Sequence, residues 1–181
     1  MINHKTSFRK VLFPPVIPLC MPMKVELISH TPDPERTVAL AVRTCHAPEV
    51  PKGRMNDAQV KKLLKLVRKL GHESVFEHVS FTFSIEGVSR SLTHQLVRHR
   101  IASFSQQSQR YVKLDDFRFV IPPLIKDNPK AHKLFEKAME DLADAYKELG
   151  DMGMPLEDAR YVLPNAAESS LIVTMNARSL F

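Results

Sequence analysis

The sequence predicts an α+β domain, because strand-like and helix-like patterns alternate along one chain of 181 residues. The clearest strand lies over residues 79–85, where apolar residues alternate with serine and threonine. The clearest helix spans residues 128–150, with asparagine at the N-cap, proline in the first turn and glycine past the end. A hydrophobic fraction of 44% is ordinary for one globular domain.

The other elements follow the same two periodicities. Asp33 is a candidate N-cap for a helix over residues 35–45, and Asn56 caps a helix that stops at Gly71. The helix over residues 128–150 is expected to bury a stripe of Leu134, Phe135, Ala138, Leu142, Ala145, Tyr146 and Leu149. The remaining predictions are a strand over 24–29, a helix over 88–98, an irregular polar segment over 100–110, a short strand at Phe117, Phe119 and Ile121, a short helix over 155–162, a strand over 170–175 and a helix that begins at Asn176.

The first 22 residues are expected to lie outside the fold. Their basic start and apolar middle are typical of a signal peptide, but Pro14, Pro15 and Pro18 would break its helix. Residues 1–22 are therefore predicted to be a disordered extension or the product of a misassigned start codon. Residues 23–181 then form a single domain. The helix that begins at Asn176 is cut off in its first turn, which suggests a domain without its C-terminal part.

Composition excludes several classes of protein. Two cysteines, Cys20 and Cys45, are too few for a disulfide framework or a cysteine-based zinc site, and they favour a reduced, cytoplasmic protein. No apolar run approaches the roughly 20 residues that a membrane span needs. The formal net charge is +6, and residues 87–114 contain five lysines and arginines but no acid. That imbalance favours an anion-binding surface.

The richest chemistry lies between His94 and Val112. Arg98 and Arg100 flank His99 at a predicted helix end, and Arg110 follows in a loop of serines and glutamines. The planar guanidinium fork suits a phosphate or a pyrimidine edge. From composition alone, a solvated basic helix end beside a polar surface loop is the better interpretation.

Other chemistries have weaker support. His72 and His78 are six residues apart and His94 and His99 five apart, which does not place metal ligands on one helical face. No metal site is therefore predicted. A single-stranded nucleic-acid-binding module remains an alternative, because Phe104 and Tyr111 are interleaved with the basic residues of the segment from Arg90 to Lys113.

Four motifs resemble those of the flavin-dependent thymidylate synthases. Arg98, His99 and Arg100, followed after seven residues by Ser108, resemble that family's RHR signature. The other three segments are Gly71-His72-Glu73-Ser74-Val75-Phe76-Glu77-His78 with the FTF strand after it, Ala159-Arg160-Tyr161-Val162-Leu163-Pro164, and Asn176-Ala177-Arg178-Ser179-Leu180. All four occur in the family's order within residues 23–181, which makes the resemblance specific.

The resemblance implies a fold and a reaction. The fold would be a mainly antiparallel sheet flanked by helices, assembled as a homotetramer with active sites at subunit interfaces. The reaction would be reductive methylation of dUMP to dTMP, with FAD as cofactor, NADPH as reductant and methylenetetrahydrofolate as carbon donor. Neither nucleic acid nor a membrane would be a partner. The cofactor carries the difficult chemistry, so the protein's task is placement and electrostatics.

Site residues are implied only where this sequence matches the family's motifs. The expected cofactor-binding residues are His72, Ser74, Arg98, His99, Arg100, Gln106, Asn176, Ala177 and Arg178. The expected dUMP-binding residues are Gln95, Leu96, Val97, Arg98, Gln106, Gln107, Ser108, Gln109, Arg110 and Arg160, with residues 106–110 serving a neighbouring subunit.

Two departures from the family pattern affect these expectations. Gln106 stands where many members have a glutamate, which keeps a hydrogen-bonding group but removes a charge. The family's activating arginine is expected beyond Phe181, so no catalytic residue is assigned. The sequence therefore predicts little or no turnover by this chain, and an inactive truncated homologue is the alternative function.

Overall fold

The sheet and helices are taken from a computed structural model that describes residues 21–51, 53, 55–114 and 118–181. Cys20, Phe117 and nearly all of the predicted extension over residues 1–22 lie outside the described residues. The strands are β1 (Lys24–His30), β2 (Ser80–Ser89), β3 (Ala102–Gln106) and β4 (Glu168–Asn176). The helices are α1 (Pro34–Thr44), α2 (Asp57–Leu70), α3 (Arg90–Leu96), α4 (Pro123–Lys126), α5 (Pro129–Asp151), α6 (Leu156–Ala159) and α7 (Ala177–Leu180), with 3-10 turns at Glu73–His78 and Arg160–Val162.

The four strands form one antiparallel sheet in the order β1-β2-β4-β3. This arrangement confirms the α+β class. Opposite residues of antiparallel strands share a face, so Leu27, Phe83, Val173 and Phe104 form one apolar row across the sheet. The other face is mainly polar apart from Ile172, and there the hydroxyls of Thr82 and Thr174 are hydrogen-bonded at 2.9 Å.

The segment over residues 100–110 was expected to be irregular, and that prediction is wrong for residues 102–106. These residues pair with β4 from Ala102 opposite Met175 to Gln106 opposite Leu171. The alternation of serine with Ala102 and Phe104 has the strand period, but its polar half resembles a loop in composition. Pairing with an already formed neighbour, rather than local preference, makes this segment a strand.

Helices pack at the two ends of the sheet. A cluster that includes Val38, Val67, Val75 and Ala177 joins α1, α2, the first 3-10 turn and α7. A separate cluster around Phe119 and Met139 lies under α5. Asn56 caps α2 as predicted, in a reciprocal capping box with Gln59. Among the described residues, no helix has both the length and the apolar character required to cross a membrane.

Several predicted boundaries need correction. Asp33 forms no side-chain cap and adopts a left-handed conformation, with φ at 45°. The helix expected over residues 88–98 begins only at Arg90, because β2 continues to Ser89 and the Ser89 hydroxyl then caps the helix. The helix α5 continues through Gly150 to Asp151. The buried stripe of α5 is narrower than expected, because Leu134 is 72% exposed and Ala138 is also exposed.

Gly87 fits the sheet for two reasons. Its φ is +68°, in the region that favours glycine, beside a register shift in the β2–β4 pairing. A Cβ at this position would also lie 2.8 Å from the carbonyl oxygen of Met21. Met21 and Pro22, the last two residues of the predicted extension, therefore lie against the sheet.

Candidate active site

The helix α3 and the turn after it present the RHR segment. The helix begins against the segment before β4, where the Arg90 amide donates to the Ala167 carbonyl and the Ser91 amide donates to the Asn165 carbonyl, each at 2.9 Å. Its last turn tightens, with the Arg98 amide donating to the Gln95 carbonyl at 3.1 Å. The chain then enters β3 at Ala102, so residues 98–100 lie in the connection.

Arg98, His99 and Arg100 are exposed. In the part of the chain that the structure describes, none of these three side chains forms an ion pair or a side-chain hydrogen bond. Unpaired guanidinium groups held on a short, fixed connection provide an anion with donors that need not be released first. The segment therefore has the charge and freedom expected of a phosphate-binding element.

A second predicted group lies where the first 3-10 turn meets α7. The Ala177 amide donates to the Val79 carbonyl at 2.9 Å, and the Asn176 side chain caps α7 through the Ser179 amide, also at 2.9 Å. His72 and Ser74 are exposed at the start of the neighbouring turn. Two motifs that are about 100 residues apart in sequence thus form one structural unit.

Arg178 links these two motifs electrostatically. Its guanidinium donates a hydrogen bond to the Glu77 carboxylate, and its Nε lies 3.7 Å from the Glu73 carboxylate. The hydrogen bond to Glu77 raises the pKa of Arg178. Sequence reasoning singled out Arg178 but assigned no role to either glutamate, although both belong to the Gly71–His78 motif.

Gln106 does not extend into the following loop. Its Nε2 donates to the Thr93 hydroxyl at 2.7 Å and to the Ser169 hydroxyl at 3.0 Å. Thr93 and Ser169 are both buried. The amide nitrogen of Gln106 thus ties β3 to α3 and β4, whereas Oε1 has no partner among the described residues.

The polar loop after β3 leads to a cluster of arginines. The Ser108 hydroxyl accepts from the Arg110 amide at 3.2 Å, which closes a turn. The Arg110 Nε donates to the Glu157 carboxylate at 2.8 Å, and this bond raises the pKa of Arg110. The Arg160 Nε donates to the Glu157 carbonyl at 3.1 Å.

Arg90 completes this cluster, and sequence reasoning gave it no individual role. Burial and the neighbouring Arg160 charge lower the pKa of Arg90. Among the described residues, Arg110 pairs with the Glu157 carboxylate, whereas Arg160 bonds the backbone carbonyl of Glu157 and Arg90 is affected by the charge of Arg160. Three arginines with one paired carboxylate leave a positive charge suited to an anion. Because Glu157 lies 47 residues from Arg110, no local pattern could have revealed the pair.

The predicted site residues fall into two groups at different positions along β4. Asn176 pairs with Ser80 at one end of the strand, and Glu168 pairs with Ser89 at the other. The Asn176 end holds His72, Ser74 and residues 176–178, and the RHR connection enters β3 there, since Ala102 lies opposite Met175. The loop over residues 107–110 starts near Ser170 and joins Arg160 toward the Glu168 end. The start of the loop beside Ser170 is six residues along β4 from Asn176, which is about 20 Å.

The structure offers little to the alternative chemistries. Among the described residues, no group of three or more histidine, cysteine, aspartate or glutamate side chains could hold a metal ion. Phe104 lies in β3 opposite Val173 and is only partly exposed, which leaves Tyr111 as the exposed aromatic residue of the basic segment. A stacking platform for single-stranded nucleic acid is therefore weaker than the sequence indicated.

Comparisons with known proteins agree with the motifs. The family model described as "Thymidylate synthase complementing protein" matches residues 26–181. A flavin-dependent thymidylate synthase of Geobacter sulfurreducens is 54% identical, over 87% of this chain and 70% of the relative. The Clostridium tetani enzyme of the same name is 49% identical, over 88% and 72%.

Two solved structures have folds similar to that of this chain. A UMP/dUMP methylase, PolB from Streptomyces cacaoi, bound with 5-Br dUMP, has a TM-score of 0.77 at 27% identity, over 88% of this chain and 75% of that one. ThyX from Helicobacter pylori, with FAD and dUMP, has a TM-score of 0.68 at 26% identity, over 87% and 80%. The four motifs, the sheet and these matches together show that the chain belongs to the flavin-dependent thymidylate synthase family of enzymes.

Proposed function

We propose that this chain acts, in the cytoplasm, in the FAD-dependent reductive methylation of dUMP to dTMP, with methylenetetrahydrofolate as carbon donor and NADPH as reductant. The names of its relatives and the FAD and dUMP bound by a structural neighbour support this proposal. A homotetramer with active sites at subunit interfaces is part of the proposal.

The separation of the two residue groups along β4 carries the proposal. One end of a subunit offers His72, Ser74, the RHR connection and residues 176–178, whereas the loop over residues 107–110 lies toward the other end. A flavin and a pyrimidine must meet within contact distance for hydride transfer. A site that uses both groups is therefore completed most simply by a second copy of the chain.

The group at the Asn176 end fits an anionic dinucleotide. Arg98, His99 and Arg100 are unpaired among the described residues and would hold the pyrophosphate of FAD. His72, Ser74 and residues 176–178 would border the rest of the cofactor, with Arg178 kept in place by Glu77. Bound FAD, reduced by NADPH, supplies the hydride chemistry for which no side chain is suited.

The loop and the arginine cluster fit dUMP. Ser108, Arg110 and Arg160 would bind its phosphate, with Arg110 held ready by Glu157. Residues 95–98, at the end of α3 and in the turn that follows it, would orient the pyrimidine from the neighbouring copy. In this proposal Gln106 contributes mainly by fixing the start of the loop, and its free Oε1 is the atom left for a ligand.

The visible spectrum of the purified protein tests this proposal. The chain is mixed with FAD, passed through gel filtration, and its spectrum is recorded with and without dUMP. Retained flavin whose bands shift on addition of dUMP is the expected result. A protein that retains no flavin, either with or without dUMP, would contradict the proposal. Salt-sensitive binding of single-stranded DNA in place of dUMP would favour the nucleic-acid alternative.

A further inference from the structure

The helix α2 carries a second basic surface, separate from the RHR segment. We call it the α2 stripe, and it consists of Lys61, Lys62, Lys65, Arg68 and Lys69. At 100° per residue these five side chains fall within an arc of about 120°. All five are exposed, whereas Val60 and Val67 on the opposite side are buried in the core.

The α2 stripe has no compensating carboxylate. Asp57, the one acid of α2, is paired with Arg36. Within residues 21–51, 53, 55–114 and 118–181, none of the five cations forms an ion pair. Lysines four residues apart on a helix repel each other, so this surface slightly destabilises the isolated helix. By contrast, α5 interleaves its lysines with Glu136 and Glu140.

The α2 stripe leads directly to the candidate cofactor residues. The helix ends at Leu70, Gly71 adopts the left-handed cap conformation, and His72 and Ser74 follow at once. Lys69 is three residues from His72 in sequence, and Lys61 lies about 12 Å farther along the helix axis. An anion that starts at the proposed flavin site could therefore continue along a row of cations.

The composition of the α2 stripe limits the kind of anion. The helix contains no aromatic residue on which a nucleic-acid base could stack. Leu66 and Leu70 are its exposed large apolar residues, which is little surface for insertion into a bilayer. A row of five point charges over about two and a half helical turns suits a flexible chain of separate carboxylates.

We propose that the α2 stripe binds the oligo-γ-glutamyl tail of the folate co-substrate. This inference rests on the proposed function, which brings a folate to the flavin. The pterin end would lie in the site beside His72, and each added glutamyl unit would place one more carboxylate over α2. The co-substrate of this chain would thus be the polyglutamylated form.

Calorimetry with two folates tests the inference. Folyl-pentaglutamate and folyl-monoglutamate are titrated into the full chain loaded with FAD and dUMP, at low and at high salt. At low salt we expect the pentaglutamate to bind about tenfold more tightly than the monoglutamate, because several weak exposed ion pairs add up. Most of this preference should vanish at about 0.5 M salt, which screens exposed charges strongly.

Two matched variants separate the α2 stripe from general surface charge. Lys65→Gln with Lys69→Gln should reduce the preference to about twofold or less, because the central charge and the charge nearest to His72 in sequence are removed. Lys133→Gln with Lys137→Gln removes two charges from α5 and should leave the preference intact. Thermal unfolding curves check that both variants fold as the parent does.

The outcomes distinguish the inference from the proposed function. Equal affinity for the two folates, in a protein whose flavin spectrum still responds to dUMP, overturns the inference and leaves the proposed function standing. A protein that binds no folate and shows no response to dUMP refutes both. Tighter binding of oligo(dT) than of the pentaglutamate, through the same two lysines, would make the α2 stripe a nucleic-acid surface instead.

Discussion

The Gln106 amide nitrogen donates a hydrogen bond to the Thr93 hydroxyl at 2.7 Å, in the buried layer between β3 and α3. That hydroxyl donates in turn to the Arg90 carbonyl at 3.0 Å. The direction of both bonds is fixed, since an amide NH₂ only donates and a carbonyl only accepts. Gln106 therefore fits this position better than a glutamate would.

Gln106→Glu should lower the free energy of unfolding by about 1–3 kcal/mol, the usual effect of an unmatched buried polar group. The carboxylate would need the Thr93 proton that now goes to the Arg90 carbonyl. Urea unfolding at neutral pH measures the change. Gln107→Glu, next along the chain and exposed, is the control and should have little effect. Equal stability of both variants would contradict the assigned bond directions.

Gly87→Ala tests the close approach of the N-terminal segment to the sheet. We expect a loss of about 2–3 kcal/mol, from the left-handed backbone and from the 2.8 Å contact with the Met21 carbonyl oxygen. Gly71→Ala is the matched control, because Gly71 has a similar φ of +69° but open space around its Cβ position. A similar loss in both variants would mean that Met21 does not lie against Gly87.

The sequence reveals elements whose signals are local. The α2 helix was predictable from Asn56, Gly71 and an apolar stripe between them, and the start of α5 from Asn128. The sequence does not reveal β3, because its serines are typical of a loop and it becomes a strand by pairing with β4. For the same reason the Arg110–Glu157 pair and the contact of Gln106 with Ser169 could not be anticipated, since each joins residues 47 or more positions apart.

Arg110→Met tests the proposed phosphate contact. Loss of a charge-assisted hydrogen bond should weaken dUMP binding about tenfold or more, while binding of 2′-deoxyuridine, which has no phosphate, should not change. Arg118→Met is the matched control, because Arg118 lies 3.8 Å from the Glu168 carboxylate and outside the loop. An equal loss for both ligands would indicate a structural role for Arg110.

Glu77→Gln tests whether Glu77 holds Arg178 for the cofactor. Without Glu77, Arg178 would be held less firmly, so flavin affinity should fall by about fivefold. The melting temperature should change little, because an exposed ion pair contributes little to stability. Glu73→Gln is the comparison, and its effect should be smaller, since Glu73 lies 3.7 Å from the Arg178 Nε without a hydrogen bond. Unchanged flavin affinity in Glu77→Gln would mean that the Glu77–Arg178 pair only connects the two motifs and does not position Arg178 for the cofactor.

Mixing subunits tests whether a site draws on two copies. Arg100→Met should impair the group at the Asn176 end, and Arg110→Met the loop toward the other end, so neither variant alone should give the dUMP-dependent flavin shift. Unfolded together in equal amounts and refolded, they should recover about a quarter of the shift, because half of the subunits carry each intact group and a site needs one of each. Mixing without refolding is the control. No recovery after refolding would mean that both groups serve a site within one subunit, which would require the roughly 20 Å along β4 between Ser170 and Asn176 to be bridged within that chain.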